Sequence, residues 1–266
     1  MQFLVLSIVV CVSFAAIGIV LPSSVYEWAN LKVKETHNGE VRQIIKSPTK
    51  TLESFDVSAT TINLADKFKV GSIAGGQEEL FILKEGKIKF NQGGKDVVLN
   101  AGTVILFPPG VNKIIANAGE SKLSYYILKW KSPANHINNM QSASDQPAIY
   151  DWDKIEFKKT AKGGVRAIMR SPTQTLIELE MHVTTLNVVE KSHDQHMHPD
   201  EEILIVRYGK VEELIKGKPF LLGPGSLIFL SSDDLHGIRN AGNGPCEYYA
   251  IRWITEKTAK TKTATN

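Results

Sequence analysis

HDQHMHPDEE, residues 193–202, and GSLIFLSSDDLHGIRN, residues 225–240, are the two stretches that decide the fold of this chain. Together they contain four of the seven histidines in 266 residues. In a β-strand, side chains two positions apart point to the same face. His196 and His198 are therefore expected to present two imidazoles to one point.

Two further side chains can complete a metal-binding set. Glu202 follows a Pro-Asp turn and can add a carboxylate, and His236 can add a third imidazole. Three neutral nitrogen atoms and one carboxylate suit a divalent transition metal such as Mn, Fe, Zn, Ni or Cu, and leave coordination positions open for a ligand. The alternative is that these histidines are ordinary polar residues on a strand and a loop. His193 is a weaker candidate, because strand parity places it facing away from the site. His182 is also weaker, since its strand face either lines the pocket or is a solvated face of the sheet.

The spacing of these residues resembles the two motifs of the cupin superfamily. The first motif is H-x-H, three or four residues, E, six residues and G, and the chain matches it from His196 to Gly209. The second motif begins with G and ends with H, three residues and N, and it matches from Gly225 to Asn240. The resemblance implies small jelly-roll barrels, with the metal held by the three histidines and the glutamate. The chain departs from the motifs at Glu190, Ser231 and Asp233.

The chain is also an internal duplication. Trp28 matches Trp152 at a spacing of 124 positions, and Gly102 matches Gly225 at a spacing of 123. So long a period predicts two similar domains rather than a short-repeat solenoid, and the resemblance extends to the two-domain cupins, or bicupins. We expect a signal peptide or anchor at 1–24, an N-terminal cupin domain at 25–130, a linker at 131–150, a C-terminal cupin domain at 151–254 and a disordered tail at 255–266.

The alignment of the two copies predicts that the N-terminal copy lacks the metal site. The positions of the three histidines are occupied by Ile73, Gly75 and Lys113, and only the glutamate is retained, as Glu79. A lysine opposite a glutamate can form an ion pair where the ion would sit. The alternative is that both side chains point to solvent at the mouth of the barrel. We therefore expect metal in the C-terminal copy alone.

Strand-like runs separated by turns predict an all-β fold. The runs recur every eight to twelve residues, for example at residues 202–208 and 236–240, with turn signals such as Gly223-Pro224-Gly225 between them. Hydrophobic content of 42% and charged content of 22% are typical of a globular protein. Three lysines in the tail account for the formal charge of +3, so the composition indicates no basic surface for nucleic acid.

The N-terminal residues 3–21 form an apolar run without charge. The run predicts a secretory signal peptide and hence an exported protein, periplasmic or extracellular, although no Lys or Arg precedes it. At 19 residues it is also long enough for an uncleaved membrane anchor, which stays open as the alternative. Without this segment, Cys246 is the sole cysteine, so no intramolecular disulfide is expected.

The metal set predicts chemistry on a small ligand rich in oxygen atoms. Such a site can polarise a carbonyl or acidify a bound hydroxyl or water. The cupin resemblance implies dioxygenase, isomerase or hydrolase reactions, among which the fold does not select. Bicupin ureidoglycine aminohydrolases share the layout of one intact and one degenerate site, but this chain departs from their ligand order. The alternative function is a non-catalytic module that binds or stores a sugar or acid, and a homo-oligomer is compatible with either.

Overall fold

The computed structural model describes most of the chain. The described segments are residues 20–63, 67–72, 76–92, 94–133 and 146–258. The bulk of the expected signal segment, most of the expected linker and the end of the tail lie outside them. Within the described segments, no helix is both long and apolar enough to cross a membrane.

The first half of the chain folds almost wholly into strands where it is described. These strands are β1 (Ser24–Tyr26), β2 (Lys34–Thr36), β3 (Gly39–Ser47), β4 (Ser54–Ile62), β5 (Lys67–Ser72), β6 (Glu78–Glu85), β7 (Lys87–Gln92), β8 (Lys95–Asn100), β9 (Val104–Phe107), β10 (Asn112–Asn117) and β11 (Leu123–Lys131). One turn of 3-10 helix, Trp28–Asn30, lies between β1 and β2.

The second half repeats this order. Its strands are β12 (Ala148–Tyr150), β13 (Lys158–Thr160), β14 (Gly163–Ser171), β15 (Glu178–Leu186), β16 (Glu201–Tyr208), β17 (Val211–Ile215), β18 (Lys218–Leu222), β19 (Leu227–Leu230), β20 (His236–Asn240) and β21 (Cys246–Ile254). A 3-10 turn at Trp152–Lys154 corresponds to the one in the first half.

Each half pairs a large antiparallel sheet with a smaller one. The first half has a seven-stranded sheet in the order β12-β9-β6-β11-β4-β3-β2 and a four-stranded sheet in the order β5-β10-β7-β8. The second half has the orders β1-β19-β16-β21-β15-β14-β13 and β18-β17-β20. The prediction of an all-β fold built from two cupin jelly-roll units is confirmed.

Strand β15 shows how the alternation of side chains positions the site. Leu179, Met181 and Val183 are buried on one face and join the apolar cluster between the two halves. Glu180 and His182 lie on the opposite face and line a cavity inside the C-terminal barrel. Because side chains alternate along a strand, one strand supplies both the packing surface and the pocket wall.

Apolar side chains form three clusters. One fills the interior of the N-terminal barrel around Phe81, and another packs inside the C-terminal barrel around Ile228. The third lies between the halves, where the rings of Phe55 and Trp253 are 5.1 Å apart between centroids. Burial of this shared cluster holds the two barrels together through the hydrophobic effect.

The segment that precedes each half joins the sheet of the other half. Strand β1 pairs with β19 of the C-terminal unit, and β12 pairs with β9 of the N-terminal unit. Strand β12 thus lies within the stretch expected to be a linker. Strand β1 crosses the expected boundary between the signal segment and the N-terminal domain, and it belongs to the sheet of the other half. A strand of three residues carries little local signal, because its partner is distant in sequence.

Two reciprocal hydrogen-bond networks couple the halves. The buried carboxylate of Glu201 accepts hydrogen bonds from the hydroxyls of Thr49, at 2.5 Å, and of Thr51. In the corresponding position, the buried Glu78 accepts from Thr173, at 2.6 Å, and from Thr175. Since each carboxylate is satisfied only by residues of the opposite half, the duplicated units pack as a pseudo-symmetric pair.

The described end of the chain differs from the expected disordered tail. A short helical turn follows β21, and both Thr255 and Thr258 are buried. The backbone N–H of Thr255 donates to the Thr258 hydroxyl at 3.3 Å. Threonine hydroxyls can form hydrogen bonds with nearby backbone groups in this way. The segment from Thr255 to Thr258 is therefore ordered although its composition is polar.

Candidate metal centre

The histidine-rich segment is not a regular strand, which differs from the expected geometry of the H-x-H pair. Between β15 and β16 it forms only isolated bridges, one of them between His196 and His236. The His196 N–H donates to the His236 carbonyl at 3.0 Å, and the reverse bond is 2.9 Å. Pro199 lacks an N–H donor, so a continuous ladder cannot pass through it. The pairing nevertheless places His196 directly opposite the first residue of β20.

Three imidazoles converge inside the C-terminal barrel. The candidate ligand atoms of His196, His198 and His236 all lie within 4.8 Å of one another. Their ring centroids are separated by 4.6 Å, 4.9 Å and 5.2 Å. The three residues were predicted from the sequence as ligands, and the structure brings them together.

Backbone carbonyls fix the orientation of two of these rings. Nδ1 of His198 lies 2.9 Å from the Asp200 carbonyl, and Nδ1 of His236 lies 2.8 Å from the Asp234 carbonyl. A carbonyl can only accept, so each Nδ1 carries the hydrogen and each Nε2 keeps its lone pair. The Nε2 atom of His236 is buried and has no hydrogen-bond partner in the described part of the chain. This arrangement is typical of imidazoles that bind a metal through Nε2.

The carboxylate of Glu202 adjoins two of the three imidazoles. Its Oε2 lies 3.5 Å from Nε2 of His198 and 3.7 Å from Nε2 of His236. Glu202 is near the start of β16, where its backbone pairs with Leu230 and Arg252 on the neighbouring strands. The sheet thereby fixes the carboxylate beside the imidazole nitrogen atoms.

The pKa shifts in the cluster favour the protonation states that a metal requires. Burial and the neighbouring histidines together lower the pKa of His196 to about 4, against the opposing effect of Glu202. Burial also lowers the pKa of His236, against the opposing effects of the Asp234 carbonyl and Glu202. Both imidazoles are therefore neutral near neutral pH, as metal ligands must be.

His198 and Glu202 behave as a coupled pair. Burial lowers the pKa of His198, but the hydrogen bond and negative charge of Glu202 outweigh it and the pKa is raised. Burial raises the pKa of Glu202, but His198 outweighs it and the pKa is lowered. Because a metal ligand must be an unprotonated imidazole, a divalent cation at this place would supply the positive charge next to Glu202 and displace any proton from Nε2 of His198. The donor set and its free lone pairs thus fit a transition metal.

The cluster opens into a small cavity of about 240 Å³. Leu204, Ile238 and Ala250 supply apolar walls, and the buried Tyr248 completes one side. Pockets for drug-sized ligands usually measure about 300–1,000 Å³. The cavity therefore suits a ligand of few atoms.

His193 lines this cavity, although it was expected to face away from it, and His182 lines it as one of its two alternatives allowed. The ring of His193 lies 4.0 Å from that of His196 between centroids. Strand parity predicted the opposite side for His193, and it does not apply because the segment is irregular. His182 reaches the cavity from the face of β15 opposite the apolar cluster.

Two charged residues of the cavity were not predicted from the sequence. Arg252 lies on β21, where Glu180 accepts a hydrogen bond from it and Asp200 Oδ2 lies 3.5 Å from its Nη1. Glu213 lies in the middle of β17 and is fully buried. A signal for Glu213 was present, since it shares strand parity with the buried Val211 and Ile215. Arg252 had no comparable signal, because its partners are distant in sequence.

The N-terminal barrel holds an ion pair at the corresponding place. Lys113 donates a hydrogen bond to Glu79 Oε1, and both residues are buried. Lys129 Nζ lies 3.5 Å from Glu79 Oε2. Burial lowers the pKa of Lys113, and Glu79 opposes that effect. Ile73 and Gly75 lie outside the described residues, and no cluster of three potential metal ligands occurs in the described part of this barrel.

Comparison with known proteins agrees with this architecture. The family described as "Cupin domain" matches residues 74–128 and 182–252. No curated protein matches the chain in sequence.

Solved structures resemble the chain over most of its length. Protein Ylba from E. coli is 15% identical with a TM-score of 0.69, covering 90% of this chain and 94% of its own. Oxalate decarboxylase from Lactobacillus farciminis is 11% identical with a TM-score of 0.64, covering 86% of each chain. AerE from Microcystis aeruginosa is 14% identical with a TM-score of 0.63, covering 84% of this chain and 97% of its own. A cupin-domain match in each half and the fold shared with these structures confirm the prediction of two tandem cupin-type units.

Proposed function

We propose that this bicupin is a metal-dependent enzyme that acts on a small, oxygen-rich metabolite. The ion would be one divalent transition metal, Mn, Fe, Zn, Ni or Cu, held by His196, His198, Glu202 and His236 in the C-terminal barrel alone. The observation that carries this proposal is the buried, unpartnered Nε2 of His236 facing two further imidazoles. A buried nitrogen without a partner costs free energy, which a metal bond would more than offset.

The protein's own residues define what such a centre could act on. When bound, a metal of this kind polarises a carbonyl or acidifies a hydroxyl or water. The cavity of about 240 Å³ limits the ligand to a small molecule. Arg252 offers a cation for a carboxylate, and the apolar walls from Leu204 and Ala250 keep bulk water away. These features support dioxygenase, isomerase or hydrolase chemistry on a hydroxy acid, keto sugar or similar compound.

A non-catalytic binding or storage module is the second candidate. The partly exposed cavity residues Glu180 and Arg252, together with the exposed His193, favour it. A polar rim of this kind suits capture of a sugar or acid without conversion. The two candidates share the metal and differ in whether the bound compound is transformed.

A screen for conversion distinguishes the candidates. The metal-loaded protein would be incubated with hydroxy acids, keto sugars and phenolic diols, with and without oxygen, beside the Glu202→Gln variant. The enzyme proposal predicts product from at least one class and loss of turnover in Glu202→Gln, because the variant removes the carboxylate charge at the metal. Binding without conversion in every condition, at an affinity that tolerates Glu202→Gln, would favour the storage module.

A further inference from the structure

Glu213 occupies an unusual position in the C-terminal barrel. It lies at the centre of β17, opposite Ile238 of β20, and its exposed fraction is 0%. It forms part of the same cavity wall as the imidazole cluster. Carboxyl groups are almost never fully buried without a partner, so the contacts of this group decide what it does.

The Glu213 carboxyl is only half satisfied. Its Oε1 accepts a hydrogen bond of 3.1 Å from the backbone N–H of Gly237. Its Oε2 is buried and has no hydrogen-bond partner among the described residues. Leaving a buried polar atom unpaired is costly. The unsatisfied oxygen therefore marks a place where a partner from outside the chain would stabilise the structure.

The other barrel shows that packing does not require a carboxyl group here. At the offset of 123 positions, Glu213 aligns with Phe90. Phe90 is buried in the N-terminal barrel and contacts Phe107 edge to face, with 5.7 Å between ring centroids. An apolar side chain thus fills the position in one copy of the fold. In the C-terminal barrel, the Glu213 carboxyl occupies the position of the Phe90 ring, and burying this polar group lowers stability.

The local electrostatics favour a carboxyl that can donate as well as accept. Burial and, to a lesser extent, the negative charge of Glu202 raise the pKa of Glu213 to about 8, although the Gly237 N–H opposes both. A neutral carboxyl donates through its O–H, whereas an ionised one only accepts. A hydroxyl group is the ligand function that can pair with either form, because it is both donor and acceptor.

We infer that Glu213 determines specificity in the C-terminal cavity by hydrogen-bonding a hydroxyl of the bound molecule. The substrate class is then a small polyhydroxy acid. Its carboxylate would lie towards the imidazole cluster and Arg252, and an additional hydroxyl would reach Glu213. This inference rests on the proposed function, because it requires the ligand to occupy the cavity beside the metal ligands.

Two acids that differ by one hydroxyl test the inference. Calorimetric titration of the full chain loaded with Mn²⁺ would compare glycerate with lactate, which has a methyl where glycerate has a hydroxymethyl group. We expect the wild type to bind glycerate roughly tenfold more tightly, the ordinary scale of one hydrogen bond. The preference should vanish in Glu213→Leu and survive in part in Glu213→Gln. Glu212→Gln, on the outward face of the same strand, should retain it fully.

Thermal unfolding of the same variants separates specificity from structure. A residue that served only the fold would make Glu213→Leu less stable, whereas we expect a midpoint at or above that of the wild type. Equal affinities for the two acids in the wild type, no binding of either, or a preference that persists in Glu213→Leu would overturn the inference. Failure of the wild type to bind Mn²⁺ would instead contradict the proposed function itself.

Discussion

The N-terminal and C-terminal barrels differ in which group lies beside a corresponding glutamate. Both carry a glutamate at the start of the strand that lines the barrel, Glu79 in one and Glu202 in the other. In the N-terminal barrel, Lys113 forms an ion pair with Glu79 and supplies the counter-charge. In the C-terminal barrel, His236 replaces the lysine and leaves a nitrogen lone pair without a partner. The comparison teaches that the residues at the aligned ligand positions decide whether the fold carries its own counter-charge or leaves room for an added one.

The largest effect is expected from breaking the built-in ion pair. Lys113→Met leaves Glu79 buried, and removing one partner of a buried pair costs about 3–5 kcal/mol. The remaining contact with Lys129, 3.5 Å away, should keep the loss near the lower end. Urea unfolding of the full chain measures it. The double variant Lys113→Met/Glu79→Leu should recover most of the loss, and a single variant as stable as the wild type would refute a stabilising pair.

A smaller effect is expected from the pH dependence of Glu213 in the metal-free protein. Its folded-state pKa of about 8 exceeds the ordinary value of 4.5, so the folded state binds more protons between these values. This contribution to stability is fully present below pH 4.5 and is lost as the pH rises towards 8. Glu213→Leu should remove that decline, because leucine does not titrate. Unfolding free energies measured from pH 5 to 9 would show it, and parallel curves for both proteins would contradict it.

The smallest expected effect compares the two reciprocal networks. Thr51 donates to Glu201 and accepts from the indole of Trp253 at 3.0 Å, and Thr175 makes the equivalent contacts in the other half. Thr51→Val and Thr175→Val should each lower the free energy of unfolding by about 1–2 kcal/mol, since each removes a buried hydroxyl. Denaturant titration checks both. A loss in one variant only would show that the two networks are not energetically equivalent.

The features that the sequence predicted correctly are those that depend on fixed spacings between residues. The duplication, the all-β fold and the convergence of His196, His198 and His236 followed from spacing, because motif residues keep their separations whatever the local backbone does. Strand parity failed for His193, since the segment around it forms isolated bridges instead of a ladder. The alternation of side chains assumes a regular strand, so it could not predict the side to which His193 points.

The remaining features depend on pairing between distant parts of the chain. The exchange of β1 and β12 between the halves joins three-residue strands to partners far away in sequence. The role of Arg252 in the cavity likewise depends on Glu180 and on the packing of β21 beside β15. Glu213 could have been recognised as the polar member of an inward-facing series, but its unpaired oxygen is visible only in the folded barrel.

Metal content is the most direct test of the difference between the barrels. Elemental analysis of the purified full chain should give about one transition-metal ion per chain, because the C-terminal barrel alone presents converging lone pairs among the described residues. His236→Ala and His196→Ala should abolish it, while Glu212→Gln should leave it unchanged. Two ions per chain, or full retention of metal in His236→Ala, would contradict the account.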